Sequence, residues 1–320
     1  MENNLKQRVL VTGGAGYLGC VLTRHLLSQG YRVTVLDNLI YRQNQTSLFQ
    51  YRYHENFEFI YGDARDEATL RRLFSKHDVI IPLAAIVGAP ACDRDPWLAE
   101  SVNFGAIELL NRLRSSGQMV IYPGTNSGYG ARSDDKPCTE ETPLEPISLY
   151  GITKVRAEKL LLESQNVISL RLATLFGVSQ RMRLDLLVNN FTYRAARDRF
   201  LVLYEPNFKR SYLHVEDAAS AFCYCIEHFA GMQGEAYNVG VEEANLSKLE
   251  LAEKIKEHVQ ELYIYCAEVV TDPDRRNYVT SYDKIKAHGF ETCHSLDEGI
   301  EQLLKAFRMI QLTGWENAPV

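Results

Sequence analysis

Two side chains four positions apart offer the most specific chemistry in this chain of 320 residues. Tyr150 and Lys154 frame the segment YGITK, and residues at this spacing share one face of a helix. The ammonium would then lie near the phenol, and a nearby cation lowers a phenol pKa. Tyr150 could therefore act as a general base on a substrate hydroxyl while hydride leaves the carbon. Tyr282 and Lys286 repeat the spacing, and we interpret that second match as a surface pair without function.

A threonine hydroxyl is predicted to meet the same substrate oxygen. Thr125 belongs to the run PGTNSGYG, which follows a predicted strand. Ligands of open α/β sheets bind outside the carboxyl ends of the strands, so the Thr125 hydroxyl would face the ligand there. The alternative is that Thr125 is an ordinary turn residue.

Glycines near the N-terminus indicate a phosphate-binding turn. Gly13, Gly16 and Gly19 follow an apolar run and open a helical pattern. Glycine at these positions permits a tight turn, the approach of a diphosphate and close helix–strand packing, and the free N–H groups of the helix favour an anion. Asp37 ends the next predicted strand and would accept hydrogen bonds from an adenosine ribose, which favours NAD over NADP. Arg42 is close enough in sequence to complicate this preference.

Two further segments would border the cofactor. Asp63 follows the third predicted strand and could reach the adenine, although a helix-capping role fits this aspartate equally well. Leu83, Ala84 and Ala85 follow the fourth predicted strand, where small residues let the backbone run close to a cofactor.

The elements that must position these residues are visible as short apolar runs that alternate with helical patterns. Strands that are apolar throughout and separated by helices predict a parallel sheet covered on both faces. We therefore predict an α/β fold with a doubly wound (Rossmann) sheet. The predicted strands are residues 8–12, 32–36, 57–61, 79–83, 118–122 and 167–170.

The alternation of strands and helices breaks after residue 172, which predicts two domains. Residues 1–172 would form the NAD-binding domain, and residues 213–240, which contain an amphipathic helical pattern, would return to it. Residues 173–212 and 241–320 would form a smaller, discontinuous domain that binds the substrate. The two domains would share one cleft.

Composition narrows the class of protein. Hydrophobic and charged residues make up 46% and 24% of the chain, which is typical of globular domains. The net charge of −6 comes without a dense basic patch, which argues against nucleic acid as the main ligand. The longest nearly uncharged apolar stretch is shorter than the roughly 20 residues of a membrane span, and no signal-peptide pattern is visible. Seven scattered cysteines fit a reducing compartment. We expect a cytoplasmic protein with neither a membrane nor a nucleic acid as partner, and no metal site.

In their order along nearly the whole chain, these motifs resemble the extended short-chain dehydrogenase/reductase family, the NAD-dependent nucleotide-sugar epimerases and dehydratases. The resemblance implies NAD as cofactor, a nucleoside-diphosphate sugar as substrate and a homodimer formed through the helices near 98–115 and 150–163. It makes Tyr150 the base, Lys154 a ribose ligand that modulates the phenol pKa, and Thr125 the partner of the substrate hydroxyl.

The same resemblance implies the contacts with both ligands. The run RSYLHV matches the family's diphosphate-binding arginine, which is Arg210 here, and either Arg275 or Arg276 would hold the other phosphate oxygens. Additional cofactor contacts are expected from Tyr17, Leu18, Asn38 and Ala64, and substrate contacts from Val87, Asn126, Ser127, Thr174 and Asn189.

Departures from the family pattern bear on the fate of the oxidised sugar. Family 4,6-dehydratases carry an acid just after the threonine, but here Asn126 and Ser127 stand there, which disfavours dehydration. Asp37 disfavours the NADPH-dependent reduction of keto sugars. A 3,5-epimerase would need another acid and base, for which Cys92 or Cys138 is the only suggestion.

Two fates then remain, 4-epimerisation and net oxidation to a released 4-keto sugar. Three runs together, PGTNSGYG (residues 123–130), RLAT (171–174) and RMRLDLLVN (181–189), are similar to the 4-dehydrogenases of GDP-activated heptoses. Typical 4-epimerases carry asparagine where Thr174 stands. We therefore predict a 4-dehydrogenase of the GDP-heptose type in surface polysaccharide synthesis, with a 4-epimerase as the alternative. A hypothesis from another class is a non-catalytic NAD(H)-binding sensor.

Overall fold

A seven-stranded parallel sheet forms the centre of the computed structural model, which describes residues 6–41, 45–132, 136–268 and 276–309. Six strands come from the first 172 residues: β1 (Arg8–Thr12), β2 (Arg32–Asp37), β3 (Phe57–Tyr61), β4 (Val79–Pro82), β5 (Met119–Thr125) and β6 (Val167–Leu172). A later strand, β10 (Ala236–Val239), pairs with β6 and gives the order β10-β6-β5-β4-β1-β2-β3. The predicted doubly wound α/β fold is confirmed.

Helices cover both faces of this sheet because its strands are apolar on both sides. In β1, Val9 and Val11 contribute to the buried cluster on one face, whereas Leu10 contributes to the cluster on the other. The first face is covered by α1 (Tyr17–Ser28) and α8 (Val215–Glu227), and the second by α2 (Glu67–Phe74), α5 (Ala106–Leu113) and α6 (Leu149–Leu162). Between β4 and α5 lie α3 (Ala89–Arg94), α4 (Pro96–Glu100) and a π-helical turn at Ser101–Gly105.

The strand register brings the carboxyl ends of the central strands to one edge. Thr12 pairs with Leu36 on one side and with Pro82 on the other, and Thr125 pairs with Leu172. The loops that follow β1, β2, β4, β5 and β6 therefore begin next to one another. This edge is where the fold presents side chains to a ligand.

The rest of the chain builds smaller sheets beside that edge. Strands β7 (Thr174–Phe176), β9 (Lys209–His214) and β11 (Asn245–Ser247) form one sheet, and β8 (Phe200–Leu203) pairs with β12 (Tyr263–Cys266). Helices α7 (Leu187–Asp198), α10 (Lys248–His258) and α12 (Leu296–Phe307) enclose a separate buried cluster with them, and α9 (Phe229–Met232) and α11 (Asp283–Ala287) are short. In the described ranges, no helix is both long and apolar enough to span a bilayer.

A buried ion pair fastens α6 to β6. Arg171 donates from Nε and Nη2 to the Glu158 carboxylate at 3.0 and 2.8 Å, and the Ser169 hydroxyl donates to the same carboxylate at 2.7 Å. The side chains of Glu158 and Arg171 are only 6% and 8% exposed. Because α6 carries Tyr150 and Lys154, this pair fixes the helix that presents them.

Replacing Glu158 with glutamine is expected to lower the free energy of unfolding by about 3–5 kcal/mol, because the buried Arg171 charge loses its partner. Glu163→Gln, at the exposed end of the same helix, is the matched control and should change stability by less than about 0.5 kcal/mol. Urea unfolding of both variants measures the difference. Equal midpoints for Glu158→Gln and the wild type would contradict the assignment.

Candidate functional site

A cavity of about 570 Å³ lies along the carboxyl edge of the large sheet. Its walls come from the loops after the sheet strands and from residues of the smaller sheets. Most of the predicted site residues line it, namely Gly13, Gly16, Tyr17, Leu18, Asp37, Asn38, Asp63, Ala64, Leu83, Ala84, Ala85, Val87, Thr125, Ser127, Tyr150, Lys154, Thr174, Arg210 and Arg276. Asn126 and Asn189 are not in its lining, and Arg42 and Arg275 lie outside the described residues.

The glycine turn leaves backbone N–H groups open to an anion. Gly13 has a φ of 72°, and a Cβ there would lie 2.6 Å from the Ala84 backbone nitrogen. A Cβ on Gly19 would lie 2.6 Å from the Gly13 oxygen, so both positions require glycine. Among the described residues, no side chain caps the start of α1 at Gly16. The first turn of α1 therefore fits a dinucleotide diphosphate.

Asp37 connects this turn to the loop after β2. One carboxylate oxygen accepts from the Ala15 N–H at 3.0 Å, and the other accepts from the Leu39 N–H at 2.8 Å. Burial raises the pKa of Asp37, while these two N–H groups and the Arg181 charge act in the opposite direction. Each oxygen can accept a second hydrogen bond, so the side chain can bind ribose hydroxyls while it holds the turn.

Asp63 lines the cavity as part of an ion pair. Arg65 donates to its two oxygens from Nε at 2.9 Å and from Nη2 at 2.7 Å, and Asn38 donates to it at 3.3 Å. The hydrogen bonds from Arg65 hold the pKa of Asp63 below its usual value. The N-cap of α2 is Asp66, so the helix-capping alternative for Asp63 is wrong.

Tyr150 and Thr125 both line the cavity. Ser148 caps α6 by accepting from the Gly151 N–H at 3.2 Å, which places Tyr150 in the first turn of the helix. The side chain of Thr125, at the end of β5, is near enough to act on this phenol. Burial raises the pKa of Tyr150, whereas the charge of Arg183 and the side chain of Thr125 counteract this effect.

Lys154 lies one turn further along the buried side of α6. Its ammonium nitrogen is 4.1 Å from the centre of the Tyr122 ring. Burial lowers the pKa of Lys154 to about 7, and the charge of Glu158 acts in the opposite direction. Sequence analysis assigned the cation beside the phenol to Lys154. In the structure, the charge that most strongly favours ionisation of Tyr150 belongs to Arg183.

Arg181 and Arg183 also line the cavity, and sequence analysis gave them no role. Arg183 donates to both oxygens of Asp185 at 3.1 and 2.5 Å. The Arg181 guanidinium lies 4.7 Å from the centre of the Tyr41 ring. The signal in the sequence is three charged residues within the otherwise apolar run RMRLDLLV, because charges are rarely buried without a partner or a function.

Two arginines from the second half of the chain also line the cavity. Arg210, on β9, is 3% exposed, and its Nη1 donates to the Lys209 carbonyl at 2.9 Å. Arg276 donates to the Ser127 hydroxyl. This bond joins Arg276 to the turn that directly follows Thr125.

The two predicted residues outside the lining are both buried asparagines. Asn189 accepts from the Gly177 N–H at 3.0 Å and donates to the Arg183 carbonyl at 2.8 Å, so its amide holds the backbone that carries the arginine. Asn126 is fully buried, and its amide has no hydrogen bond to any of the described residues. Its two neighbours in sequence, Thr125 and Ser127, both line the cavity.

Burial corrects one sequence interpretation and bears on a second. Tyr282 is 0% exposed and packs against Gly240, so the second Tyr–Lys match is not a surface pair. Tyr282 and Lys286 lie outside the cavity lining. Burial raises the pKa of Cys92 to about 11, which makes its thiol a poor acid or base for a 3,5-epimerase at neutral pH.

Known proteins are similar to this chain in sequence and in fold. The model of the NAD dependent epimerase/dehydratase family matches residues 9–240. The low-salt glycan biosynthesis protein Agl12 of Haloferax volcanii is 32% identical over 92% of this chain and 96% of its own length. The CDP-paratose 2-epimerase of Salmonella typhi is 28% identical over 87% of this chain and 92% of its own. The structure of Thermus thermophilus UDP-glucose 4-epimerase with NAD has a TM-score of 0.79 at 25% identity, and covers 94% of this chain and 99% of that one.

Proposed function

The chain belongs to the NAD dependent epimerase/dehydratase family, and from this premise we propose that it is an NAD-dependent enzyme that oxidises the C4 hydroxyl of a nucleoside-diphosphate sugar. The observation that carries the proposal is that Thr125, Tyr150 and Lys154 line one cavity with the glycine turn and with Arg210. Residues 1–172 and 213–240 would hold the cofactor, and residues 173–212 and 241–320 the nucleotide sugar.

The residues present fit both ligands. The first turn of α1 would hold the cofactor diphosphate, Asp37 the adenosine ribose and Lys154 the second ribose. Arg210 and Arg276 would bind the diphosphate of the sugar nucleotide, since guanidinium groups suit phosphate oxygens. Exposed apolar side chains on α4 and α6, Trp97 and Ile152, support a homodimer formed through these helices.

Bound NAD supplies the acceptor for the hydride that leaves the sugar carbon. Tyr150 takes the proton from the hydroxyl on that carbon, and Thr125 holds the same oxygen through its hydroxyl. The positive charge of Arg183 stabilises the phenolate form of Tyr150 before the proton is transferred. The removal of this one proton therefore depends on Tyr150 as the acceptor, on Thr125 to hold the oxygen and on Arg183 to stabilise the phenolate.

The fate of the oxidised sugar separates two candidate reactions. The segment 181–189 supports a 4-dehydrogenase of the GDP-heptose type that releases a 4-keto sugar. The similarity to the UDP-glucose 4-epimerase of Thermus thermophilus supports the alternative, a 4-epimerase. Asn126 and Ser127, neither of which is an ordinary acid or base, continue to disfavour a dehydratase.

Incubation with NAD and a panel of UDP-, GDP-, dTDP- and CDP-sugars, including a GDP-heptose, tests the proposal. NADH fluorescence and product NMR are followed together. A 4-keto product with accumulating NADH would identify the dehydrogenase, and an inverted C4 without free NADH would identify the epimerase. Loss of the C6 hydroxyl would contradict the proposal. Binding of NAD with no conversion of any substrate would favour the sensor hypothesis.

Replacing Asp37 with alanine is expected to weaken NAD more than NADP, because the carboxylate binds the ribose and repels a 2′-phosphate. We expect the ratio of the two dissociation constants to change about tenfold. Titration of both cofactors, with the exposed Asp198→Asn as control, measures the ratio. An unchanged ratio would mean that another residue binds the ribose.

A further inference from the structure

The segment between β7 and α7, residues 177–186, is fastened to the glycine turn, and we name this segment the strap. The Tyr17 hydroxyl donates to the Gly177 carbonyl at 2.7 Å, and the Ser179 hydroxyl donates to the Tyr17 carbonyl at 2.7 Å. Asn189 donates to the Tyr17 hydroxyl at 3.3 Å. Because Tyr17 is the first residue of α1, the strap is held against the helix end that fits an anion.

The strap carries a buried guanidinium into this region. Arg181 is 2% exposed, lines the cavity and lies over the Tyr41 ring. Burial and the like charge of Arg183 lower the pKa of Arg181 to about 10, and the attraction of Asp185 does not compensate for them. A buried cation in such surroundings is stabilised by an anion that enters the cavity.

The neighbours of Arg181 indicate which part of a ligand it meets. Its charge acts on the carboxylate of Asp37, the residue that fits the adenosine ribose, and on the thiol of Cys20 in the first turn of α1. A dinucleotide that places its ribose at Asp37 and its phosphates at the start of α1 therefore passes Arg181 with its diphosphate. The arginines that fit the sugar nucleotide, Arg210 and Arg276, belong to other segments.

We propose that Arg181 binds the diphosphate of NAD from the strap, opposite the glycine turn, and thereby locks the cofactor in the protein. The proposal goes beyond the C4 oxidation proposed above and rests only on NAD being the cofactor. The strap and the turn then hold the phosphates from both sides, and NAD leaves only when the contacts at Tyr17 open.

Binding of ADP-ribose and of adenosine to the full-length protein, freed of bound nucleotide, tests this assignment. Both contain the adenosine, but only ADP-ribose has the diphosphate. We expect Arg181→Gln to weaken ADP-ribose about ten- to a hundredfold, the usual effect of losing a hydrogen bond to a charged group. Adenosine should change less than about twofold. Gel filtration should also strip NAD from this variant and not from the wild type.

Arg197→Gln, an exposed arginine on α7, is the matched control and should bind both ligands like the wild type. Arg181→Met keeps an apolar side chain over the Tyr41 ring, and it replaces Arg181→Gln if that variant does not fold. Equal losses of ADP-ribose and adenosine would overturn the proposal. GDP and UDP are titrated in the same way. If Arg181→Gln weakened the binding of these two alone, Arg181 would be assigned to the substrate instead. None of these measurements requires turnover of a sugar, so they remain decisive if the proposed reaction is wrong.

Discussion

Replacing Tyr150 with phenylalanine is expected to lower turnover by about two to four orders of magnitude, the usual contribution of a general base. The ring, its packing in the first turn of α6 and the cofactor-binding residues stay in place, and only the proton acceptor is lost. Affinity for NAD should therefore remain within about twofold of the wild type. Steady-state kinetics on the substrate found in the panel, with NAD binding measured in parallel, gives both quantities.

Tyr282→Phe is the matched control, because Tyr282 has the same spacing to a lysine but lies outside the cavity lining. That variant should turn over like the wild type. Normal activity of Tyr150→Phe would remove the base from the mechanism. Loss of NAD binding together with activity would mean that the phenol is needed for cofactor binding and not only for chemistry.

Arg210→Gln is expected to raise the dissociation constant of the nucleotide sugar about ten- to a hundredfold, because one charged hydrogen-bond donor to the diphosphate is removed. The effect should appear in KM, and kcat should change little, since the diphosphate is bound equally before and during oxidation. NAD affinity should be unchanged.

The exposed Arg199→Gln, whose side chain pairs with Glu261 at the surface, controls for the loss of a positive charge. Titration with the nucleoside diphosphate alone should reproduce the difference between the two variants. A fall in kcat without a change in KM would contradict the binding role. It would indicate instead that Arg210 acts on the reacting end of the sugar.

The parts of the site that follow from the sequence are those defined by local spacing at strand ends. Gly13 to Gly19, Asp37 and Thr125 each follow an apolar run, and parallel strands bring their carboxyl ends to one edge. Tyr150 and Lys154 needed only the periodicity of a helix. Their common location in the cavity therefore depends on rules that act over short stretches of chain.

The strap could not be placed by such rules. Its position depends on hydrogen bonds between Tyr17 and Gly177, which are 160 residues apart in the chain, and no local pattern encodes that contact. The same contact accounts for the position of Asn189, which the resemblance to the family had predicted to bind the substrate. Its amide is instead used by Gly177, Arg183 and Tyr17. Tyr282 shows the opposite limit of local patterns, because a residue whose spacing fits a catalytic motif can belong to the core.

The most direct test of the account uses a nucleotide sugar with deuterium at C4, in a single turnover with enzyme in excess. The mixture is denatured at successive times, and the cofactor and the sugar are analysed by mass spectrometry. Oxidation at C4 predicts that deuterium moves from the sugar to the nicotinamide ring, where it stays if the keto sugar is released and from which it returns to the sugar if the keto sugar is reduced again. Tyr150→Phe should suppress the transfer. Conversion of the sugar at the rate of the unlabelled substrate, with no deuterium on the cofactor at any time, would contradict C4 oxidation.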